Sequence, residues 1–462
     1  MELGFETIGN ATLIVYENGK PLLVTDPWLG GDAYFGSWTL SHDVPKEQLD
    51  AATSAEFVWF SHGHPDHLNG PWLDACRGRK VLLPDHIGGR IKSDLERAGL
   101  DVTVLPHAQW VPLSDRVRVW CFADVNQDAV LLVDLDGHLL VDVNDATQTG
   151  WGPAVRREIK RFKRSTLLQL SGFGDADMIN FFDEAGRRVT PLPAFRKAHG
   201  YRVGDALAKT SEGLGVTHVI PFSSMHRYQR ADSAWANEFA VTTADYTDGF
   251  ASRRVELLAP FMRHDVARDE WTAINPPART EETLPPSAFG DDWSEQLAAD
   301  EVAEVEGYLR RIEHLDTSLG FVGFRVGGKD HVVRFHGRPD DVGVTFEVPR
   351  ASLLTTVRFE IFDDLLIGNF MKTTLHGKWS PSGLSSRFGK HVTRYADNGR
   401  AYTDSEVRTY LAEYRRRVEP VDRMRVALEG GGARLVRSAF AVDSAPYRAA
   451  RRTYWAIKKV TS

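Results

Sequence analysis

The chain has 462 residues, 42% of them hydrophobic and 26% charged, and a net charge of −7. That is apolar material for a large core plus a second region, and it excludes a chain-wide basic surface for nucleic acid. Cys76 and Cys121 are the only cysteines, which excludes a disulfide framework and, with no Cys-x-His pair, a two-histidine, two-cysteine iron–sulfur centre. Residues 1–16 lack a basic stretch leading into a long apolar run, and no apolar segment approaches membrane-spanning length. The expected location is therefore the cytoplasm, without stable membrane insertion.

Residues 11–16 and 21–25 read as strands joined at Asn18-Gly19, a hairpin turn pair. Thr25-Asp26-Pro27-Trp28 follows, and Asp26 at a strand end is placed to brace a neighbouring loop. Residues 57–60 are an apolar run that reads as a buried strand and stops at Ser61. His62, His64, Asp66 and His67 come next, with Gly63 and Pro65 breaking regular structure between them. Such a loop turns His62 and His64 to one point and Asp66 and His67 to a second close by. That arrangement suits two adjacent metal ions. Scattered surface polar residues are the bland alternative, and three histidines at this spacing after a strand argue against it.

The segment His62-x-His64-x-Asp66-His67 resembles the signature of the metallo-β-lactamase superfamily, and Thr25-Asp26-Pro27-Trp28 is similar to a segment of the same family. The resemblance implies an αββα sandwich with a dinuclear metal site fed by strand ends. Later elements fit an α/β sandwich: strands over 80–83, 102–105, 116–122, 129–133 and 139–143, a helix over 87–98, and a turn at Asp136-Gly137. Over 116–122, Val117, Val119 and Cys121 share one side. The family usually carries a histidine after that strand. This sequence instead has Asp124 and Asp128, so Asp124 is the candidate third ligand and Asp128 its rival. His107 lies before that strand, and His138 sits in the hairpin turn after 129–133. The resemblance implies that Asp145, at the end of 139–143, bridges both metals, and that His226, after the strand over 217–222, closes the second.

The basic run Arg156 to Arg164 encloses Ile159 and Phe162 and reads as an amphipathic helix with a solvated face, not a nucleic-acid platform. Gly172-Phe173-Gly174-Asp175 is a candidate rim of the substrate pocket. Prolines at 276, 277, 285 and 286 mark a boundary. Residues 1–275 are expected to form the metal domain and 288–462 a C-terminal α+β region, a candidate cover for the pocket. In that region a helix is expected over 302–312, strands over 321–326, 331–335 and 344–348, an apolar-periodic stretch over 357–371 around Asp363 and Asp364, and a helix over 407–418. A last helix is expected over 447–459. No metal-like cluster is visible there.

Two metals at this site support two chemistries. Zinc or manganese would make it a metallohydrolase of esters, amides or phosphodiesters. Two irons would make it an oxygenase that uses dioxygen to hydroxylate a C–H bond. A carboxylate at the third position hardens the site and favours iron or manganese over zinc. Asn144-Asp145-Ala146, Pro221-Phe222 and Phe362-Asp363-Asp364-Leu365-Leu366-Ile367-Gly368 resemble stretches of the CMP-N-acetylneuraminate hydroxylase-like branch. The same site resembles the diiron monooxygenases of bacterial natural-product biosynthesis, including those acting on platensimycin-type diterpenoids. That implies an apolar small-molecule substrate, for which a diterpenoid thioester is one form. The hydroxylase branch carries a Rieske domain that this sequence lacks, and no Gly-x-Gly-x-x-Gly loop suggests a bound flavin or nicotinamide. Electrons are then expected from a ferredoxin or reductase. Trp28, Phe35, Trp38, Trp110 and Phe173 are candidate pocket walls.

Overall fold

Strands Val117–Ala123, Ala129–Leu135 and His138–Asn144 are nearly continuous apolar runs, and such strands must be covered on both faces. They are. Val117, Val119, Cys121, Leu131, Val133 and Leu140 pack against Leu13, Leu23, Phe57 and Trp59 of a second sheet. Phe122, Val130, Leu132, Val141 and Val143 pack outward against Val155, Ile159, Leu207 and Leu214 of the helices Gly152–Ile159 and Val203–Leu214. On the far side of the second sheet, Val24, Val58 and Val81 meet Ala51 and Leu95 of the helices Lys46–Ser54 and Arg90–Arg97. Each fully buried aliphatic side chain in these layers is worth about 1.5–3 kcal/mol. The result is the αββα layering that the resemblance implies, in a computed structural model that describes residues 1–147, 150–170, 178–336, 342–379 and 384–422.

The eight-stranded sheet runs Glu270–Ala273, Met262–Asp265, Leu3–Ile8, Thr12–Glu17, Lys20–Thr25, Phe57–Trp59, Lys80–Leu83, Asp101–Val104. The seven-stranded sheet runs Glu256–Leu257, His218–Pro221, Arg164–Gln169, His138–Asn144, Ala129–Leu135, Val117–Ala123, Trp110–Pro112. Strand direction decides where the polar loops gather. Lys20–Thr25, Phe57–Trp59 and Lys80–Leu83 are mutually parallel, so the loops after Thr25, Trp59 and Leu83 leave by one edge. His138–Asn144, Arg164–Gln169 and His218–Pro221 are also parallel, and Val117–Ala123 shares their direction through two antiparallel pairings. Carboxyl ends of parallel strands are where α/β folds place their sites.

A further five-stranded sheet is built from Phe181–Phe182, Lys372–His376, Gly343–Glu347, Phe321–Val326 and Lys329–Arg334. Its strand Phe181–Phe182 comes from the first region of the chain and pairs with Lys372–His376 of the second. The helix expected over 87–98 begins only at Arg90, because Gly88 and Gly89 take φ of +89° and +59°. Gly88 also admits the other region closely: a Cβ there would lie 2.5 Å from the Gly399 carbonyl oxygen. The basic run is helical only to Ile159, and Arg164 already starts a strand. The stretch over 357–371 is two helices, Arg350–Phe359 and Phe362–Ile367, broken where Glu360 takes a left-handed φ of 55°. The loop Gly172 to Asp175, with Phe173, and the last helix over 447–459 lie outside the described residues. No described helix is long and apolar enough to cross a membrane.

Candidate metal centre

Asp26 leads the eight-stranded sheet's contribution. Its Oδ1 accepts the Ser61 amide at 2.7 Å, and its Oδ2 accepts the Ser61 hydroxyl at 2.6 Å and His67 Nδ1–H at 2.9 Å. These bonds fix two tautomers. Because His67 donates from Nδ1, its Nε2 carries the lone pair. Because the Ser61 hydroxyl proton is spent on Asp26, Ser61 Oγ accepts from His62 Nδ1 at 2.8 Å, and His62 Nε2 carries the lone pair. His64 donates from Nε2 to Asp363 Oδ2 at 3.0 Å, so its Nδ1 is the free acceptor.

The lone pairs converge. His62 Nε2 and His64 Nδ1 stand 2.9 Å apart. His67 Nε2 stands 3.4 Å from Asp66 Oδ2 and 3.3 Å from Asp145 Oδ2. Two groups result, His62–His64–Asp145 and Asp66–His67–Asp145, each with ligand atoms within 4.8 Å of one another, and Asp145 belongs to both. Acceptors that face acceptors in a buried place demand a cation between them, a metal ion or a captured proton. Two buried atoms also lack a hydrogen-bond partner, Asp145 Oδ1 and His226 Nδ1. The donor set, imidazoles and carboxylates with open positions, fits a pair of transition-metal ions.

The electrostatics carry the same demand. Burial alone would lower the His64 imidazole, but the hydrogen bond and charge of Asp363, with Asp364 and Asp66 behind it, raise it to about 10. His67 is raised well above its ordinary value against the same burial penalty, by Asp66, Asp145 and Asp26. His62 goes the other way, pushed well down by burial and then by the charges of His67, His64 and His86. Burial would raise Asp66, yet His67, His64 and a hydrogen bond from Tyr34 bring it to about 2.

Asp66 is held from two sides: Tyr34 OH donates to its Oδ1, and Asn10 Nδ2 donates to its Oδ2 at 2.9 Å. Asn10 Oδ1 in turn accepts the Met225 amide at 2.8 Å, which ties Asp66 to the loop bearing His226. His226 stacks flat on Trp38, ring centroids 3.4 Å apart, and burial lowers its imidazole to about 4 against the opposing charge of Asp66. It borders the Asp66 side without joining either three-residue group. Asp124 is buried and its Oδ1 accepts the Asn126 amide at 2.7 Å in a tight turn. Asp128, on the same turn, is raised well above its ordinary value by burial and then by Asp124 and Asp145. Both acids thus stand beside the centre, and neither joins the two groups.

Non-glycine residues with left-handed backbones cluster here: Asp26, Tyr34, Phe35, Gln127, Asn144 and Ser223. Each such residue costs of order 1 kcal/mol or more and is retained where the surroundings hold it, commonly at functional sites. His138 is far off, bonded to Thr166 Oγ1 at 3.0 Å at the start of the strand whose other end carries Asp145, about 20 Å away by strand rise. His107 packs on Phe122, and Trp110 sits beside Gly137 with its Nε1–H on Glu158, not at the site. The sequence assigns no site role to Asn10, Tyr34 or Asp363. Only Asp363 had a local signal, a pair of acids inside an apolar-periodic stretch. The C-terminal region shows no metal-like cluster of its own in the sequence, but it brings Asp363 and Asp364 to His64, and the three form a third close group.

No family model matches the chain. Over 143 residues, 29% of its length, it is 30% identical to the cytidine monophosphate-N-acetylneuraminic acid hydroxylase of Danio rerio. The matched stretch spans about a quarter of that relative's length, 24%. Among solved structures, CmlA, a diiron β-hydroxylase from Streptomyces venezuelae, aligns with a TM-score of 0.35 at 13% identity, covering 59% of this chain and 54% of that one. Igni18, a metallo hydrolase from Ignicoccus hospitalis, aligns at 0.35 and 13%, covering 59% and 98%.

Proposed function

We propose that the protein is a non-heme diiron monooxygenase that hydroxylates a C–H bond of an apolar small molecule, acting in the cytoplasm in a natural-product pathway. The observation that carries the reading is the convergence of imidazole nitrogens and carboxylate oxygens on two adjacent points that share Asp145. Partial similarity to a hydroxylase supports the reaction class. A carboxylate in the third ligand position, the role this reading gives Asp124 with Asp128 its rival, would favour iron, since oxygen-rich ligation favours harder metals than zinc. Bound there, two iron ions would supply the redox equivalents that dioxygen activation needs.

The chain's own residues do the positioning. Asp145 spans the two pockets. Asp26 and Asp363 fix the tautomers and ring orientations of His67 and His64. Trp38, flat against His226, keeps water off one side of that imidazole. In this reading His62, His64 and Asp124 (with Asp128 its rival) serve one metal, and Asp66, His67 and His226 the other. The region 288–462 covers the pocket, and a separate ferredoxin or reductase supplies electrons.

The test is oxygen dependence. Protein loaded with iron and chemically reduced is mixed with dioxygen, alone and with a panel of apolar acids and thioesters. The expected result is oxygen consumption coupled to re-oxidation, with label from isotopic dioxygen in the product and no turnover under anaerobic conditions. Undiminished anaerobic turnover of an ester or phosphodiester by the zinc-loaded protein, with label entering from water, would instead make it a metallohydrolase.

A further inference from the structure

We propose that Asp363, delivered by the C-terminal region, is a positioning residue for the pocket of His62 and His64. Its carboxylate holds the proton on His64 Nε2 and thereby makes Nδ1 the ligating nitrogen. The inference rests on the dinuclear-metal reading above and extends it to a residue 299 positions away in the chain.

The geometry is specific. His64 Nε2 donates to Asp363 Oδ2 at 3.0 Å, and the Asp363 side chain is 10% exposed, so little solvent competes for the bond. An imidazole can ligate through either nitrogen, and a charged acceptor on one fixes the tautomer and leaves the other for the metal. Here the nitrogen left free faces His62 Nε2 at 2.9 Å. Asp26 plays the same part for His67. The two imidazoles thus have matched carboxylate anchors, one from inside the sandwich and one from outside it.

The anchor is itself braced. Asp363 lies in the first turn of Phe362–Ile367, which the left-handed Glu360 sets apart from the preceding helix. The Phe362 amide donates to Asp397 Oδ2 at 3.1 Å, and Tyr308 OH reaches both oxygens of Asp397 at 2.9 Å, which pins the start of that helix. Asn398 Nδ2 donates to Asp363 Oδ2 at 3.4 Å. Arg90, from the sandwich, donates to Asn398 Oδ1 at 3.0 Å and to the Phe359 carbonyl at 2.7 Å. Arg90 is thus one of the side chains that tie the C-terminal region to the rim of the pocket. Asp364 is close as well, but no direct hydrogen bond to His64 singles it out.

The experiment is a metal titration of the full chain, stripped of metal, with cobalt(II) alone as the probe. Visible absorption reports the ligand field and chelator competition reports affinity. Wild type is compared with Asp363→Ala, Asp363→Asn and Asp364→Asn, each checked for a wild-type thermal unfolding transition. Two cobalt ions per chain are expected in wild type. Asp363→Ala should weaken one of them by about 10–100-fold, the usual effect of losing a carboxylate behind a ligating histidine, and alter that ion's spectrum. Asp363→Asn, which keeps an acceptor without the charge, should lose less than Asp363→Ala, and Asp364→Asn, which leaves the hydrogen bond to His64 in place, less than either. Wild-type affinity and spectrum in Asp363→Ala would overturn the proposal. So would three ions in wild type and two in the variant, which would make Asp363 a ligand. A wild-type chain that takes up no cobalt would instead overturn the metal reading beneath it.

Discussion

The two pockets of the candidate centre are built differently. The Asp66–His67 pocket is closed from within the sandwich: Asp26, Asn10 and Tyr34 all belong to the first 34 residues, and the His67 side chain has no exposed surface. The His62–His64 pocket is open toward the second region: the His64 side chain is 24% exposed, and its anchor is Asp363. One pocket draws its anchors from the first region of the chain. The other draws the anchor of His64 from the C-terminal region. The difference teaches that ligands on one loop can take their support from parts of the chain far apart in sequence.

Asp145 is the single residue common to both pockets, so Asp145→Ala should have the largest effect. We expect both metals to bind at least about 100-fold more weakly, beyond the range for an indirect contact, as read by elemental analysis after gel filtration. Loss of one metal alone would break the picture of a shared carboxylate. Next in size, Asp124→Ala should remove the metal of the His62 pocket while Asp128→Ala keeps both. The reverse result transfers the role to Asp128. Asp124→His should shift preference toward zinc by restoring an imidazole.

Asp26→Asn sharpens the comparison from the other side. It should weaken the His67 pocket by about 10–100-fold and the His62 pocket by less, because Asp26 also holds the Ser61 hydroxyl on which His62 Nδ1 rests. Because both anchors feed one network through Ser61, His62 and Asp145, the double variant should depart from the sum of the two losses. The smallest effect is proton release. His64 is raised to about 10 and His67 is raised well above its ordinary value, so a proton competes with a metal for the nitrogens that face the centre. Metal uptake at pH 7 should then release protons, seen as a buffer-dependent heat in titration calorimetry. Apparent affinity should rise by about tenfold per pH unit for each proton displaced, and the His64 share should vanish above pH 10.

The legible parts of this molecule were those written locally. His62 to His67 follow a strand in one short loop, and Asp145 ends another strand. Asp26 sits at a strand end whose neighbour in the sheet is the strand leading to that loop. Alternation exposed the inward face of Val117, Val119 and Cys121 because a strand's period is two and one of its faces meets the other sheet. What stayed hidden depended on tertiary packing. Asn10 and Tyr34 reach Asp66 only because the sheet brings their loops together, and no spacing rule marks them. Helix ends were misplaced where glycines or a left-handed residue intervened, as at Gly88, Gly89 and Glu360. The apolar period over 357–371 showed a buried segment but not that its two acids face a histidine from the other region.

The central claim is that the chain holds two metal ions side by side. Elemental analysis of protein purified without added metal, together with its concentration by amino-acid analysis, tests it most directly. The account predicts two metal ions per chain, iron foremost, falling to one in Asp363→Ala after dialysis against a weak chelator. A chain that carries no metal as purified and takes up none of iron, manganese or zinc when reconstituted would contradict it.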